Sequence, residues 1–218
     1  SMSKFLVIDQ LILKENTVYC HTRNKRKLQK THLQQGDLDG ACGAYAIIMA
    51  LMLANVVNSE GIKYINFDGR FSKGKLDKAI SRDNGLYKDG LSIDDCENII
   101  RSTYSKYVKV KRSEFDCSNK SLLPFLEKHI KENIPLLLRV DFKNSGSHWV
   151  VVVGMMYNNE NEISKLLCLD SGFKSPTYAP WNSVIDLTPN KKGKYFYTYE
   201  TNNNVPASII EALAIIKK

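Results

Sequence analysis

An uncharged segment in the first quarter of the chain places the strongest constraint on the fold. It runs from Ala44 to Ala54, and Tyr45 supplies its only polar side-chain atom. A helix that is apolar on all sides must be buried, so we expect this segment to run through the middle of the structure. The segment is shorter than the ~20 residues that a bilayer-spanning helix needs, so we predict no transmembrane helix here.

A turn rich in Gly and Asp comes directly before this helix. Asp39 is placed to cap the first backbone N–H groups, and Cys42 lies at the helix N-terminus. The positive end of the helix dipole favours a thiolate over a thiol, which is the environment that a nucleophilic cysteine needs. Taken alone, Cys42 is explained as well by a small buried hydrophobic residue.

The size and composition of the chain predict one domain. The 218 residues are 43% hydrophobic, enough for one sizeable core. We expect a single domain over residues 1–218, with a helical lobe at about 40–133 and a sheet lobe at about 135–200. We interpret Ser1 as a remnant of tag cleavage. No signal peptide is visible, so a cytoplasmic, reducing location is expected, although delivery into another cell leaves no mark in a sequence.

Hydrophobic periodicity predicts helices mainly in the first half and strands mainly in the second, which indicates an α+β fold. After the central helix we predict a short strand over Ile62–Phe67 and helices over Phe71–Arg82 and Ile93–Tyr107. Another helix is predicted to reach Asn133, with Ser121 or Asn119 as its cap. A further helix is predicted over Ser208–Ile216. The predicted strands are Lys4–Leu13, Thr17–His21, Val108–Lys111, Pro135–Phe142, Trp149–Met156, Leu166–Leu169 and Lys194–Glu200.

Two strands of the second half carry polar residues at neighbouring ends. His148 begins the strand that continues into Trp149–Met156, and Asp170 follows the strand Leu166–Leu169. A turn centred on Asn159 places His148 directly opposite Asp170, whereas a turn centred on Glu160 places His148 opposite Gly172 and diagonal to Asp170. Opposed Cβ atoms lie ~5 Å apart and diagonal ones ~7 Å, so either register permits a hydrogen bond between the two side chains.

Together, these residues match the requirements of nucleophilic catalysis. A cysteine needs a base to become a strong nucleophile, and a histidine needs a third group to fix its tautomer and orientation. Cys42, His148 and Asp170 supply all three groups. The other three histidines, His21, His32 and His129, have no comparable setting.

These motifs resemble the papain-like cysteine peptidase superfamily. A glutamine precedes a Cys-Gly pair that opens a central helix, a histidine begins a later strand, and an Asp follows on the next strand. The segments His-Trp-Val-Val-Val-Val-Gly and Leu-Asp-Ser-Gly are most similar to the bacterial branch that includes bacteriocin-processing peptidase domains. The resemblance implies a central Cys-bearing helix packed against an antiparallel sheet from the C-terminal half.

The resemblance also implies a role for each residue. Cys42 would be the nucleophile, His148 the general base and then acid, and Asp170 the residue that orients His148. Gln35 would form the oxyanion hole with the Cys42 backbone N–H. The family glutamine lies one position nearer the cysteine than Gln35 does, and Gln34 is the alternative donor.

Two tryptophans lie near these motifs. Trp149 alternates to the face opposite His148, so we expect it to fill the core. Trp181 is explained either by core packing or by shielding of the His148–Asp170 hydrogen bond from water.

The predicted function is a cysteine peptidase or isopeptidase that acts on a protein or peptide through a thioester acyl-enzyme. The same three residues would also serve an acyltransferase, a transglutaminase or a deamidase. A different alternative is a basic binding module, because the net charge is +8 and Arg23–Lys27 is a dense basic run that nucleic acid or an acidic protein surface could contact. The five cysteines form no Cys-x-x-Cys pair, and we expect no metal or other cofactor.

Overall fold

The computed structural model describes residues 4–35, 42–59, 90–114, 119–190 and 194–218. These ranges hold the helices α1 (Cys42–Leu53), α2 (Ile93–Tyr104) and α3 (Leu122–Lys131). The strands are β1 (Lys4–Val7), β2 (Ile12–Lys14), β3 (Thr17–His21), β4 (Leu28–Lys30), β5 (Val108–Arg112), β6 (Leu136–Phe142), β7 (Gly146–Tyr157), β8 (Ile163–Leu169), β9 (Ser183–Asp186), β10 (Tyr197–Glu200) and β11 (Asn204–Lys217).

The largest element of the fold is an antiparallel sheet that closes into a barrel. Six strands follow the order β7, β6, β11, β10, β9 and β8, and β8 pairs again with β7. Strand β1 pairs with β7, and β5 pairs with β11. Strands β2, β3 and β4 form a separate three-stranded sheet. The described part of the chain is thus mixed α and β, with few helices and one large antiparallel sheet.

Helix α1 lies against this sheet and is buried along its length. Every residue of α1 except Tyr45 is buried. The helix packs on β7 and β6, and it also contacts β3 and α2. This confirms the prediction of a central buried helix, because apolar side chains on every face find apolar neighbours. Within the described ranges, no helix is long and apolar enough to cross a membrane.

The other predicted elements have mixed outcomes. Helix α2 begins with a capping box, in which the Ser92 hydroxyl accepts from the Asp95 N–H while the Asp95 carboxylate accepts from the Ser92 N–H. Helix α3 has Ser121 at its N-cap position. The predicted Asp39 cap, the strand Ile62–Phe67 and the helix Phe71–Arg82 lie outside the described residues.

The prediction of a closing helix over Ser208–Ile216 is wrong, because this segment lies within strand β11. Strand β11 pairs with β6 on one side and with β10 and β5 on the other. A strand covered on both faces is apolar on both faces, so it lacks the alternation that distinguishes a half-buried strand. The register of β11 against β6 shifts between Ile209 and Glu211, which further disturbs the two-residue alternation of the strand.

Strands β4 and β9 were not predicted. The basic run Arg23–Lys27 forms the turn between β3 and β4, where the Thr22 N–H donates to the Lys27 carbonyl at 2.8 Å. The Arg23 guanidinium lies 4.5 Å from the centre of the Tyr107 ring. Both missed strands are too short to show a clear period. The basic run is therefore part of a hairpin and not of an irregular loop.

A buried carboxylate ties the barrel strands together. Glu211 of β11 is 6% exposed, and its carboxylate accepts from Arg139 of β6 at 3.1 Å and from Arg112 of β5 at 3.4 Å. Both arginines keep part of their surface in water, which lowers the cost of desolvating them.

Replacing Glu211 by Gln should lower the free energy of unfolding by about 1–3 kcal/mol, because two charge-assisted hydrogen bonds are weakened in a buried setting. The measurement is denaturant unfolding. The control is Lys131→Met, which removes an exposed i,i+4 pair with Glu127 and should cost less than about 0.5 kcal/mol. Equal effects of the two substitutions would contradict the placement of Glu211 inside the sheet.

Candidate active site

Cys42 is the first residue of helix α1 and is 7% exposed. The side chain of Leu91 lies close to the backbone of the next residue, Gly43. A Cβ atom on Gly43 would lie 2.8 Å from Cδ1 of Leu91, and the Leu91 carbonyl accepts a 2.7 Å hydrogen bond from the indole of Trp149. Glycine after the cysteine therefore lets the segment before α2 press against the start of α1.

The surroundings of Cys42 favour its thiolate. Burial alone raises the pKa of the thiol, because the charged form loses solvent. The hydrogen bond and the positive charge of His148 oppose this, and the backbone N–H groups of Trp149 and Gly43 also act on the sulfur. The net pKa of Cys42 lies below its ordinary value of 9.0. The N-terminus of α1 adds a further positive potential.

His148 and Asp170 are joined across strands β7 and β8. The Nε2 atom of His148 lies 2.6 Å from Oδ1 of Asp170. Val151 pairs with Leu169 at this end of the ladder, and continuing that pairing places His148 opposite Gly172 and diagonal to Asp170. Of the two registers considered from the sequence, the one with its turn centred on Glu160 matches this end of the hairpin. Two bulges shift the pairing farther along.

The Asp170 carboxylate is fully buried and accepts three hydrogen bonds. Oδ1 accepts from His148 and, at 2.7 Å, from the Gly172 N–H, while Oδ2 accepts from the Tyr199 hydroxyl. Burial alone raises the pKa of Asp170, but His148 and these donors outweigh it and bring the pKa below its ordinary value of 3.8. The carboxylate is therefore charged at neutral pH although no water reaches it.

The backbone of Asp170 is held as firmly as its side chain. Oδ1 of Asn182 accepts from the Asp170 N–H at 2.7 Å, and Nδ2 of Asn182 donates to the Asp170 carbonyl at 2.8 Å. Nε2 of His32 donates to the same carbonyl at 2.7 Å. Burial lowers the pKa of His32 despite this contact, so His32 is neutral. Its proton must be on Nε2, because a carbonyl only accepts.

The pKa of His148 is shifted in the opposite direction to that of Cys42. Burial alone lowers its pKa, but the hydrogen bonds and charges of Asp170 and Cys42 raise the pKa above the ordinary value of 6.5. Nε2 is occupied by Asp170, which leaves Nδ1 for Cys42. A lowered thiol pKa next to a raised imidazole pKa favours a thiolate–imidazolium pair at neutral pH.

The two candidate glutamines differ in their contacts. Gln35 is tied to Ser171, next to Asp170: its N–H donates to the Ser171 carbonyl, and its side-chain Oε1 accepts from the Ser171 hydroxyl at 2.9 Å. These bonds orient the side-chain amide, and its N–H groups have no hydrogen-bond partner among the described residues. Gln34 is exposed. The chain between Gln35 and Cys42 lies outside the described residues.

The tryptophans pack as core residues. Trp149 is 2% exposed, which confirms its expected place in the core. Trp181 is half-buried and stacks on Phe5, with ring centres 6.1 Å apart. The aromatic rings beside the His148–Asp170 pair are instead those of Tyr199 and Phe142, the latter centred 6.2 Å from the imidazole.

Sequence reasoning missed three residues around Asp170, namely His32, Asn182 and Tyr199. Each reaches Asp170 from a distant part of the chain, and none stands in a recognisable motif. In the sequence, His32 is one of three histidines without a setting comparable to that of His148. Among the described residues, no three His, Cys, Asp or Glu side chains are grouped so that they could hold a metal ion.

Comparisons with known proteins show a distant structural likeness only. No protein-family pattern matches it, and no curated protein matches it. Among solved structures it is similar to the crystal structure of UfSP from C. elegans, at a TM-score of 0.47 and 11% sequence identity. The match covers 100% of this chain and 35% of that chain, so this chain spans about a third of that protein. A likeness this distant assigns neither a family nor an activity.

Iodoacetamide should label Cys42 much faster than Cys96 or Cys168 at pH 6, because burial raises the pKa of the latter two thiols. Labelling of Cys42 should fall as the pH drops and the thiolate is protonated. His148→Ala should slow it at least tenfold at pH 6, since the pKa of Cys42 then rises. Peptide mass spectrometry measures all three sites in one sample. Equal rates at the three cysteines would contradict the described contacts.

Tyr199→Phe should lower the free energy of unfolding by about 1–3 kcal/mol near pH 6, because it removes a hydrogen bond to a buried carboxylate. The native pKa of Asp170 is depressed, so its contribution is present above its ordinary pKa of 3.8 and is lost as the pH falls through the native value. The difference from wild type should therefore shrink below about pH 4.

The control for this experiment is Tyr197→Phe. Tyr197 is half-buried on the same strand, and its hydroxyl has no hydrogen-bond partner in the described part of the chain. Urea unfolding over a pH series compares the two variants. An effect of Tyr199→Phe that does not vary with pH would mean that the hydroxyl does not act on the Asp170 carboxylate.

Proposed function

We propose that the protein is a thiol hydrolase that cleaves peptide or isopeptide bonds through a thioester on Cys42. The single observation that carries this proposal is the continuous set of contacts from the Cys42 thiol through His148 to the buried Asp170 carboxylate. A buried carboxylate is costly unless it is paired, and here its partner is an imidazole that also contacts a thiol with a lowered pKa.

The first half of the reaction is acylation of Cys42. The thiolate attacks the carbonyl carbon of the substrate, and the electron pair of the C=O bond moves to the oxygen. Collapse of this intermediate breaks the C–N bond, and the departing nitrogen takes the proton from the His148 imidazolium. The products are a thioester on Cys42, a free amine and a neutral His148.

The second half is hydrolysis. Neutral His148 takes a proton from water as the water oxygen attacks the thioester carbon. Collapse breaks the C–S bond and releases the carboxylic acid, which restores the thiolate and the imidazolium. Asp170 keeps its charge throughout and stabilises the imidazolium whenever it forms.

Gln35 is the better of the two candidates for the oxyanion donor. Its Oε1 is occupied by the Ser171 hydroxyl, so its amide nitrogen has a defined direction next to the Asp170 turn. Gln34 is exposed and has no such anchor in the part of the chain that the structure describes. We propose that the Gln35 amide and the Cys42 N–H stabilise the negative oxygen, an interaction that typically contributes ~10²–10³ in rate.

We also propose a papain-like organisation for the chain. The nucleophile lies on a buried helix, and its partners lie on an antiparallel sheet against which that helix packs. In this arrangement the chain is one domain, and the closed barrel is an elaboration of the sheet lobe. A protein or peptide is the expected substrate.

The test is cleavage of a peptide library by wild type and Cys42→Ala, with new N-termini identified by mass spectrometry. Cys42→Ala should lose at least about 10³-fold in kcat/KM, because the nucleophile is removed and binding alone remains. Cys20→Ser is the control for a buried cysteine outside the site, on β3, and should keep activity. Undiminished cleavage by Cys42→Ala would overturn the proposal, and a mass gain of about one dalton without cleavage would redirect it to deamidation.

A further inference from the structure

A small apolar cavity lies directly beside the proposed acid–base residue. It has a volume of about 290 Å³, and His148 and Asp170 form part of its wall. The rest of the wall is mainly apolar and comes from Phe142, Ser145, Gly172, Phe173, Tyr199, Thr201 and Val205. These residues lie on β6 and in the turn after it, on β10 and in the turn after it, at the start of β11 and in the turn after Asp170, so the cavity lies at one end of the barrel.

The chemistry of this wall selects an apolar occupant. His148 and Asp170 are the titratable groups that line it with a charge. The Asp170 oxygens are fully buried and engaged with His148, Gly172 and Tyr199. What remains is mainly a surface of aromatic and aliphatic carbon, with Ser145 and Thr201 as the other polar residues of the wall. The volume is at the lower end for small-ligand sites and suits one side chain better than a cofactor.

The cavity is built from side chains that support one another. The ring of Phe142 meets that of Tyr199 edge to face, with centres 5.1 Å apart. Val205 is paired with Tyr199 across the β10–β11 ladder. Tyr199 is itself anchored to Asp170 by its hydroxyl. A pocket that is formed before the ligand arrives loses little conformational entropy on binding.

The position of the cavity indicates which half of the substrate fills it. His148 lines the cavity, and Cys42 does not. In the proposed reaction His148 hands its proton to the departing nitrogen, so the leaving group must lie against the imidazole. The acyl half is held instead by the sulfur and the oxyanion donors.

We propose that this cavity binds an apolar side chain of the leaving group, that of the residue directly after the scissile bond. The inference rests on the proposed function, and it names the substrate class of that same site. The enzyme would then cleave before Leu-, Met- or Phe-sized residues, and amines that carry such a side chain would be the best acceptors of the acyl group.

The acceptor reaction tests this without knowledge of the natural substrate. A small thioester, S-acetyl-N-acetylcysteamine, would acetylate Cys42 and release its own thiol. An added amine then attacks the acetyl carbon while His148 takes the amine proton. The C–N bond forms, the C–S bond breaks, and the thiolate leaves. By microscopic reversibility the incoming amine occupies the leaving-group site.

The experiment compares leucinamide, phenylalaninamide, glycinamide and glutaminamide as acceptors, with the ratio of acetyl-amide to acetate measured by mass spectrometry and corrected for the uncatalysed reaction. An apolar side chain in an apolar pocket should improve the ratio by roughly 10- to 200-fold over glycinamide. Ratios within twofold for all four amines would overturn the proposal.

Two substitutions at Val205 test whether the preference for apolar amines arises from this cavity. Val205→Phe should fill the cavity and reduce the leucinamide preference at least fivefold, and Val205→Ala should shift it towards phenylalaninamide. The matched control is Val184→Phe, at a half-buried valine of β9 that does not line the cavity. An unchanged preference in both Val205 variants would overturn the assignment.

Different results would overturn the proposed function and the cavity assignment. If intact-mass analysis shows no acetyl group on Cys42 and iodoacetamide labelling of Cys42 does not depend on His148, the proposed function itself is wrong, and the cavity assignment falls with it. If acetyl-Cys42 forms but no amine is preferred, only the cavity assignment is wrong.

Discussion

The hydrogen bond between His148 and the buried Asp170 carboxylate is the interaction on which the candidate site depends. A carboxylate with no exposed surface must be neutral or compensated. Three donors act on its oxygens, and the depressed pKa of Asp170 shows that their sum exceeds the cost of burial. The charge that results holds the imidazole ring in one orientation, with Nδ1 left for Cys42.

This interaction needs a rigid frame, and the barrel provides it. Asn182 and His32 hold the backbone of Asp170, while the β6–β7 and β7–β8 ladders hold that of His148. Helix α1 then supplies Cys42 from the opposite side, because its uncharged faces pack on β7 and β6. The thiol and the imidazole thus meet where two separately stabilised parts of the fold touch.

The sequence predicted the parts of this site that follow from local pattern. The uncharged segment identified α1, and the link between β7 and β8 allowed two registers, of which the one centred on Glu160 matches this end of the hairpin. Sequence reasoning failed for features that depend on contacts between separate segments of the chain. The apolar run in β11 suits a helix as well as a strand, and only its pairing with β6 and β5 decides between them. His32, Asn182 and Tyr199 become partners of Asp170 only after the barrel closes, so no local signal marks them.

The proposed mechanism requires His148 to be an imidazolium paired with the Cys42 thiolate at neutral pH. Ring ¹⁵N NMR of histidine measures this directly in wild type and in Cys42→Ala. We expect both ring nitrogens of His148 to stay protonated well above the ordinary pKa of 6.5 in the wild type, and the Cys42→Ala variant to lose the proton at lower pH. A His148 that titrates near 6.5 in both proteins would contradict it.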